Sequence, residues 1–125
     1  MSLSARLDAM RSDIPGCSLV SFGDLQTALA LRTSSAAHCP REQLDEIFAQ
    51  AVASFAAADR LAQDMAGAEA RAEDTLVMTP CDLRVFVRSQ SNGEDVICAL
   101  GDSPEAVPAM IASARELLRV AARGG

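Results

Sequence analysis

DTLVMTPCDLRVFVRSQSNGEDVICALGD, residues 74–102, holds three short apolar runs separated by turn signals. Leu76, Val77 and Met78 form the first, closed by Thr79-Pro80. In the second, Leu83, Val85 and Val87 alternate with Arg84, Phe86 and Arg88, the period of two that a strand requires. Ser91-Asn92-Gly93-Glu94 supplies the next turn, and Asp95 to Leu100 is the third run. Gly101-Asp102-Ser103-Pro104-Glu105 then breaks the strand and opens a helix, with Ser103 or Asp102 as cap and Pro104 in the first turn. Val107, Met110, Ile111, Ala114, Leu117, Leu118 and Ala121 recur at helical spacing as its buried stripe. The whole reads as an antiparallel meander followed by one amphipathic helix.

Upstream, Leu3, Leu7, Met10 and Ile14 recur at helical spacing until Pro15-Gly16 stops them, which predicts a short first helix. Cys17 to Phe22 and Leu25 to Thr33 are apolar runs on either side of Gly23-Asp24, a pair that turns a chain tightly between two strands. In the second arm Leu25, Thr27, Leu29 and Leu31 fall on one face, and Gln26, Ala28, Ala30 and Arg32 on the other. After the small-residue connection from Thr33 to Cys39, Pro40 opens a helix and Glu42 sits near its positive end. Leu44, Ile47, Phe48, Ala51, Val52, Phe55, Ala58, Leu61, Ala62 and Met65 then keep a three-and-four spacing to about Ala66. Such a helix extends about 40 Å, more than one sheet-covering helix needs, so its end projects or meets another subunit. Gly67 to Asp74 offers no core residue and reads as a frayed extension or a flexible loop.

The chain has 125 residues, a one-domain length, and one domain over 1–125 is expected. Half of the residues are hydrophobic, but many are alanine, and Phe22, Phe48, Phe55 and Phe86 are the only aromatics. A net charge of −6 argues against binding nucleic acid or an anionic membrane surface, since both need a basic face. Every basic side chain is arginine, which excludes a Walker-type lysine, a Schiff base and a lysine general base. Arg6, Asp8, Arg11 and Asp13 interrupt the amino-terminal segment, so it does not read as a secretory signal, and no apolar run is long enough to span a bilayer. A cytoplasmic protein without membrane insertion is expected. Cys17, Cys39, Cys81 and Cys98 lack paired spacing and read as reduced, mostly buried thiols rather than a zinc site.

Together these elements give an α+β fold of order α-β-β-α-β-β-β-α, a five-stranded antiparallel sheet with helices on both faces. Ile14-Pro15-Gly16-Cys17-Ser18-Leu19-Val20 as the entry into the first strand, Gly23 between the first two strands, the hairpin of Leu83 to Leu100 and the final helix from Pro104 to Ala122 resemble the Roadblock/dynein light-chain family. The second helix and the Ala/Glu segment after it are longer than usual for that family, and Phe22-Gly23-Asp24-Leu25 is a compressed version of its turn. The resemblance implies that Leu76-Val77-Met78 lies at a sheet edge with no charge to discourage pairing. It also implies a homodimer through Leu76, Val77 and Met78 together with the helix from Arg41 to Ala66, placing Phe48, Val52 and Phe55 in the contact. The alternative is that the chain's own acidic segment caps this strand.

By the same resemblance the function expected is a non-enzymatic scaffold or regulator for a Ras-like small GTPase. Arg41, Gln43, Asp45, Gln50 and Ser54 are its candidate partner contacts on the outer face of the long helix. The competing reading is a small-ligand sensor of profilin-like fold, with a pocket between the sheet and the last helix. An enzyme ranks third, because no acid, base and nucleophile set can be assembled, and neither a cofactor nor a metal is expected. His38-Cys39 reads as a loop pair, since adjacent side chains rarely face each other, and Cys81-Asp82 reads as a turn. Glu42, Asp45, Glu46, Asp59 and Asp64 read as charge on a solvated helix face. Arg84 and Arg88 share a strand face across Phe86, bordering either the long helix or an exposed surface; an arginine finger there is the lesser reading, because the resemblance implies a scaffold.

Overall fold

A computed structural model describes residues 1–123, in the element order read from the sequence. The elements are α1 (Leu3–Asp13), β1 (Cys17–Asp24), β2 (Leu29–Ser35), α2 (Arg41–Ala66), β3 (Asp74–Met78), β4 (Leu83–Arg88), β5 (Asp95–Gly101) and α3 (Val107–Ala122). All strand pairs are antiparallel, and the sheet order is β2-β1-β5-β4-β3. The hairpin and the meander thus meet through β1 and β5, with the last strand at the centre.

Because side chains alternate across a strand, the central strands feed two cores. Val85, Val87, Ile97 and Ala99 pack on one face with Leu7, Met10, Met110, Ala114, Leu117 and Leu118 from α1 and α3. Phe86, Val96, Cys98 and Leu100 pack on the other with Leu44, Ile47, Phe48, Ala51 and Phe55 from α2. Burial of Met110, Leu117 and Leu118 contributes about 1.5–3 kcal/mol each, which makes α3 the main cover of its face. Pro104 begins a single 3-10 turn, Pro104–Ala106, ahead of α3, and Ser103 makes no side-chain capping bond.

The first hairpin differs from its sequence reading. Gly23-Asp24 is not the turn: β1 runs through it, and the register shifts between Phe22 and Gly23. The chain reverses over residues 25–28, where the Asp24 carboxylate accepts hydrogen bonds from the Thr27 N–H and hydroxyl, and Ala28 takes a left-handed φ of 57°. Gly23 serves packing instead, since a Cβ there would lie 2.1 Å from Cε2 of Phe48. On β2 the small Ala30 is buried against the α2 layer while Leu29 and Leu31 are exposed.

The segment from Gly67 to Glu73 is neither a helical extension nor detached. The Ala72 N–H donates to Asp59 of α2, the Arg88 N–H of β4 donates to the Glu73 carbonyl, and the Gln90 amide contacts the Glu73 carboxylate. It therefore folds back from the end of α2 to the start of β3. Among the described residues no helix is long and apolar enough to cross a membrane.

Candidate partner-binding surface

β3 is an edge strand, paired with β4 on one side only, so one row of its backbone N–H and C=O groups faces outward. Its side chains flank that edge on both sheet faces. Thr75 and Val77 point to the α2 side, where Thr75 shares a hydrogen bond with Ser54 and Val77 packs on the core. Leu76 and Met78 alternate to the opposite face, where they are 48% and 71% exposed. Asp74 adds a charge that the Leu76–Met78 run lacks, and it is tied to Arg115 of α3 at 2.6 Å. The long helix outruns its own sheet: after Phe55 its apolar stripe loses cover, leaving Leu61 62% and Met65 78% exposed. Leu61 and Met65 lie seven and eleven residues beyond Ser54, on the helix side that touches β3.

Of the residues expected at a dimer contact, Leu76, Val77 and Met78 lie on this edge, and Val52 is 37% exposed. Phe48 and Phe55 do not belong there. They are 0% and 2% exposed, packed beneath α2 on their own sheet, so the expectation that they meet a second subunit is corrected. Both do stand in the apolar stripe of α2, but the side of the helix that this stripe faces is the protomer's own core.

The candidate partner contacts divide in the same way. Arg41, Gln43 and Asp45 are exposed, with Arg41 and Asp45 paired across one helical turn at 3.4 Å. Gln50 and Ser54 are half-buried and occupied within the protomer: Gln50 accepts from Arg84 at 2.9 Å, and Ser54 bonds Thr75 at 2.9 Å. Each thus ties the helix to the sheet with part of its surface still exposed.

Both strand arginines are buried on the α2 face. Arg84 donates to Glu46 at 2.8 Å and to Asp82 at 3.1 Å. Burial opposes its charge, but these two carboxylates outweigh burial and hold its proton more tightly than usual. Arg88 donates through both terminal nitrogens to Asp59, at 3.1 and 3.0 Å, and lies 4.2 Å over the ring of Phe55. Partial burial raises the Asp59 pKa, yet hydrogen bonds from Arg88 and Ala72 and the charges of Arg88 and Arg71 bring it below the usual carboxylate value. Both guanidinium groups are committed to acids of the same protomer, which leaves neither free to act as an arginine finger on a GTPase. Glu46 and Asp59, read as solvated charge, are the acids that fasten them. Nothing in the sequence distinguishes these two acids from the others on α2.

Cys17 and Cys98 are buried, and burial pushes both thiols up, which keeps them protonated and unreactive. Cys39 is half-buried and Cys81 exposed, so only two of the four thiols meet the expectation of burial. His38 is exposed, and among the described residues no group of three His, Cys, Asp or Glu side chains stands close enough to hold a metal.

No protein-family model and no curated protein sequence matches the chain. Solved structures do. The Roadblock/LC7 domain from Streptomyces avermitilis superposes with a TM-score of 0.72 at 12% identity, covering 96% of this chain and 94% of that one. The gliding protein MglB from Thermus thermophilus gives 0.75 at 14% identity, with 98% and 93% covered. An MglB in a tetrameric arrangement gives 0.75 at 17%, with the same coverage of 98% and 93%. At such identities the likeness extends to architecture, over almost the full length of each chain, and on that ground this protein has the Roadblock/LC7 fold.

Proposed function

We propose that this protein, acting as one cytoplasmic domain over residues 1–125, is a non-enzymatic homodimeric platform for a Ras-like small GTPase. The observation that carries the reading is the open β3 edge, with Leu76 and Met78 exposed on one face and Leu61 and Met65 on the other. Pairing two β3 strands about a two-fold axis satisfies the outward backbone groups and covers apolar surface that a monomer leaves in water. The tetrameric arrangement of one MglB neighbour supports self-association as a habit of this fold. The GTPase half of the reading comes from the Roadblock resemblance, and the exposed Arg41, Gln43 and Asp45 on α2 are its proposed contacts.

Light scattering or sedimentation at high micromolar concentration is expected to give twice the chain mass of 13.1 kDa. Like charges introduced by Leu76→Glu and Met78→Glu together are expected to return the monomer, because they repel across a two-fold strand pair, while leaving the fold intact, because both side chains point away from the cores. A strictly monomeric wild type overturns the dimer. Immobilised protein is expected to retain a small GTPase of the same organism in one nucleotide state, and Arg41→Ala with Asp45→Ala to weaken retention without changing the mass. Loss of retention in both nucleotide states for the wild type overturns the partner.

A further inference from the structure

The chain is acidic overall, yet one part of its surface is not. Four of its eleven arginines, Arg71, Arg88, Arg115 and Arg119, line two adjoining clefts where β4 turns towards β5, against one of its seventeen acids, Glu73. The clefts share Arg88, Ser89, Gln90 and Ser91 as a common wall. The larger, about 490 Å³, lies between the segment ahead of β3 and the turn at Gly93; the smaller, about 170 Å³, lies under α3. A volume of this size suits a small molecule.

The acids that balance these arginines stand outside the clefts: Asp59 behind Arg88, Asp74 beside Arg115 and Glu116 beside Arg119. Arg71 makes no ion pair among those of the described residues. Its guanidinium reaches over the turn, with one terminal nitrogen 2.8 Å from where a Cβ on Gly93 would stand. At the shared wall the Nε of Arg88, a side chain 9% exposed, is the one buried side-chain nitrogen or oxygen without a hydrogen-bond partner among the described residues. An orphaned donor on a buried cation is costly and asks for an acceptor. Asp59 takes both terminal nitrogens of Arg88, which leaves its Nε and the unpaired fork of Arg71 as guanidinium donors; with the hydroxyl pair of Ser89 and Ser91 beside them, they suit a tetrahedral oxyanion.

We propose that this cleft binds a small phosphorylated molecule, its phosphate held by the Arg71 fork and the Arg88 Nε, with the hydroxyl that the Ser89–Ser91 pair leaves free as a further donor. Nucleic acid is a poor occupant, because the remaining surface carries the negative charge that repels it. Binding is independent of the dimer reading, since mass and ligand response are separate measurements on one sample.

Thermal melting of the full chain with inorganic pyrophosphate at 10 mM, roughly ten times a millimolar dissociation constant, is expected to raise Tm by at least about 2 °C over sodium chloride of equal ionic strength. Titration calorimetry on Arg71→Ala is expected to show at least a five-fold weaker pyrophosphate affinity, and Arg60→Ala, at an exposed position on α2, to show none of that loss. Arg71 is exposed, so its removal leaves the cores untouched. No rise beyond matched salt overturns the site, as does a rise that survives Arg71→Ala. An equal response to citrate overturns the assignment to phosphate.

Discussion

Replacement of Phe48 by alanine is expected to destabilise the protomer by about 4 kcal/mol, a fall in Tm of more than roughly 10 °C for a domain of this length. The side chain is fully buried, and its ring lies over Gly23 so closely that no Cβ fits between them. The backbone of β1 therefore cannot move in to fill the vacated space without losing its pairing to both β2 and β5. Sites that cannot collapse show the high end of the large-to-small range. Val52, next on the same helix but 37% exposed, is the control, and Val52→Ala is expected to cost under about 1 kcal/mol. Urea unfolding checks both. The Phe48 loss should persist at every protein concentration, because it arises inside one chain, whereas loss of an interface side chain fades on dilution. A Phe48→Ala variant that loses less than about 1 kcal/mol, or loses it only at high concentration, would return Phe48 to the interface.

How far the sequence led depends on what each residue's pattern encodes. β4 and β5 were legible because Leu83, Val85 and Val87 alternate strictly and the turn at Asn92-Gly93 has few alternatives. α2 was legible to its last residue by periodicity, but periodicity says nothing of where a sheet ends, so Leu61 and Met65 looked like core continuing from Phe55. The misplaced first turn has a specific cause. Gly23-Asp24 carries a strong turn signal, yet the glycine answers to Phe48 from a distant helix, and Asp24 caps a turn that begins after it. Placing Phe48 and Phe55 at a dimer contact failed for a related reason: an apolar stripe identifies a buried face without saying what buries it. The open β3 edge was legible only through the resemblance, since strand order is a long-range property. The burial of Arg84 and Arg88 was not legible, because an arginine alternating along a strand ordinarily marks a wet face, and the acids that pair them are remote in sequence.

Those pairs set the second large effect. Asp59→Ala is expected to cost about 3 kcal/mol, because it leaves Arg88 buried with neither of its two charge-assisted bonds. Removing both charges is different. Asp59→Leu with Arg88→Met replaces the ion pair by apolar side chains of similar volume, and the double variant is expected to lie within about 1.5 kcal/mol of wild type, the remainder being the lost stacking on Phe55 and the lost acceptor for Ala72. Acid provides an independent reading. Asp59 has a folded pKa below its unfolded value, so its contribution is complete above the ordinary carboxylate value of about 4 and is lost as pH falls through the lowered folded value. Wild type should therefore lose stability between about pH 4 and stronger acid by a component that the double variant lacks, and urea midpoints at about pH 7 and about pH 3 measure it. Equal acid slopes, or a single variant as stable as the double, would mean that Asp59 and Arg88 are merely adjacent. If the pair acts as argued, it does more than hold a helix down. Arg84 grips α2 at Glu46 and Gln50, Arg88 grips it at Asp59, and two fixed points separated along a rod determine its direction. The outer face carrying Arg41, Gln43 and Asp45 and the projecting end with Leu61 and Met65 then hold fixed positions relative to the β3 edge, which is what a docking platform needs.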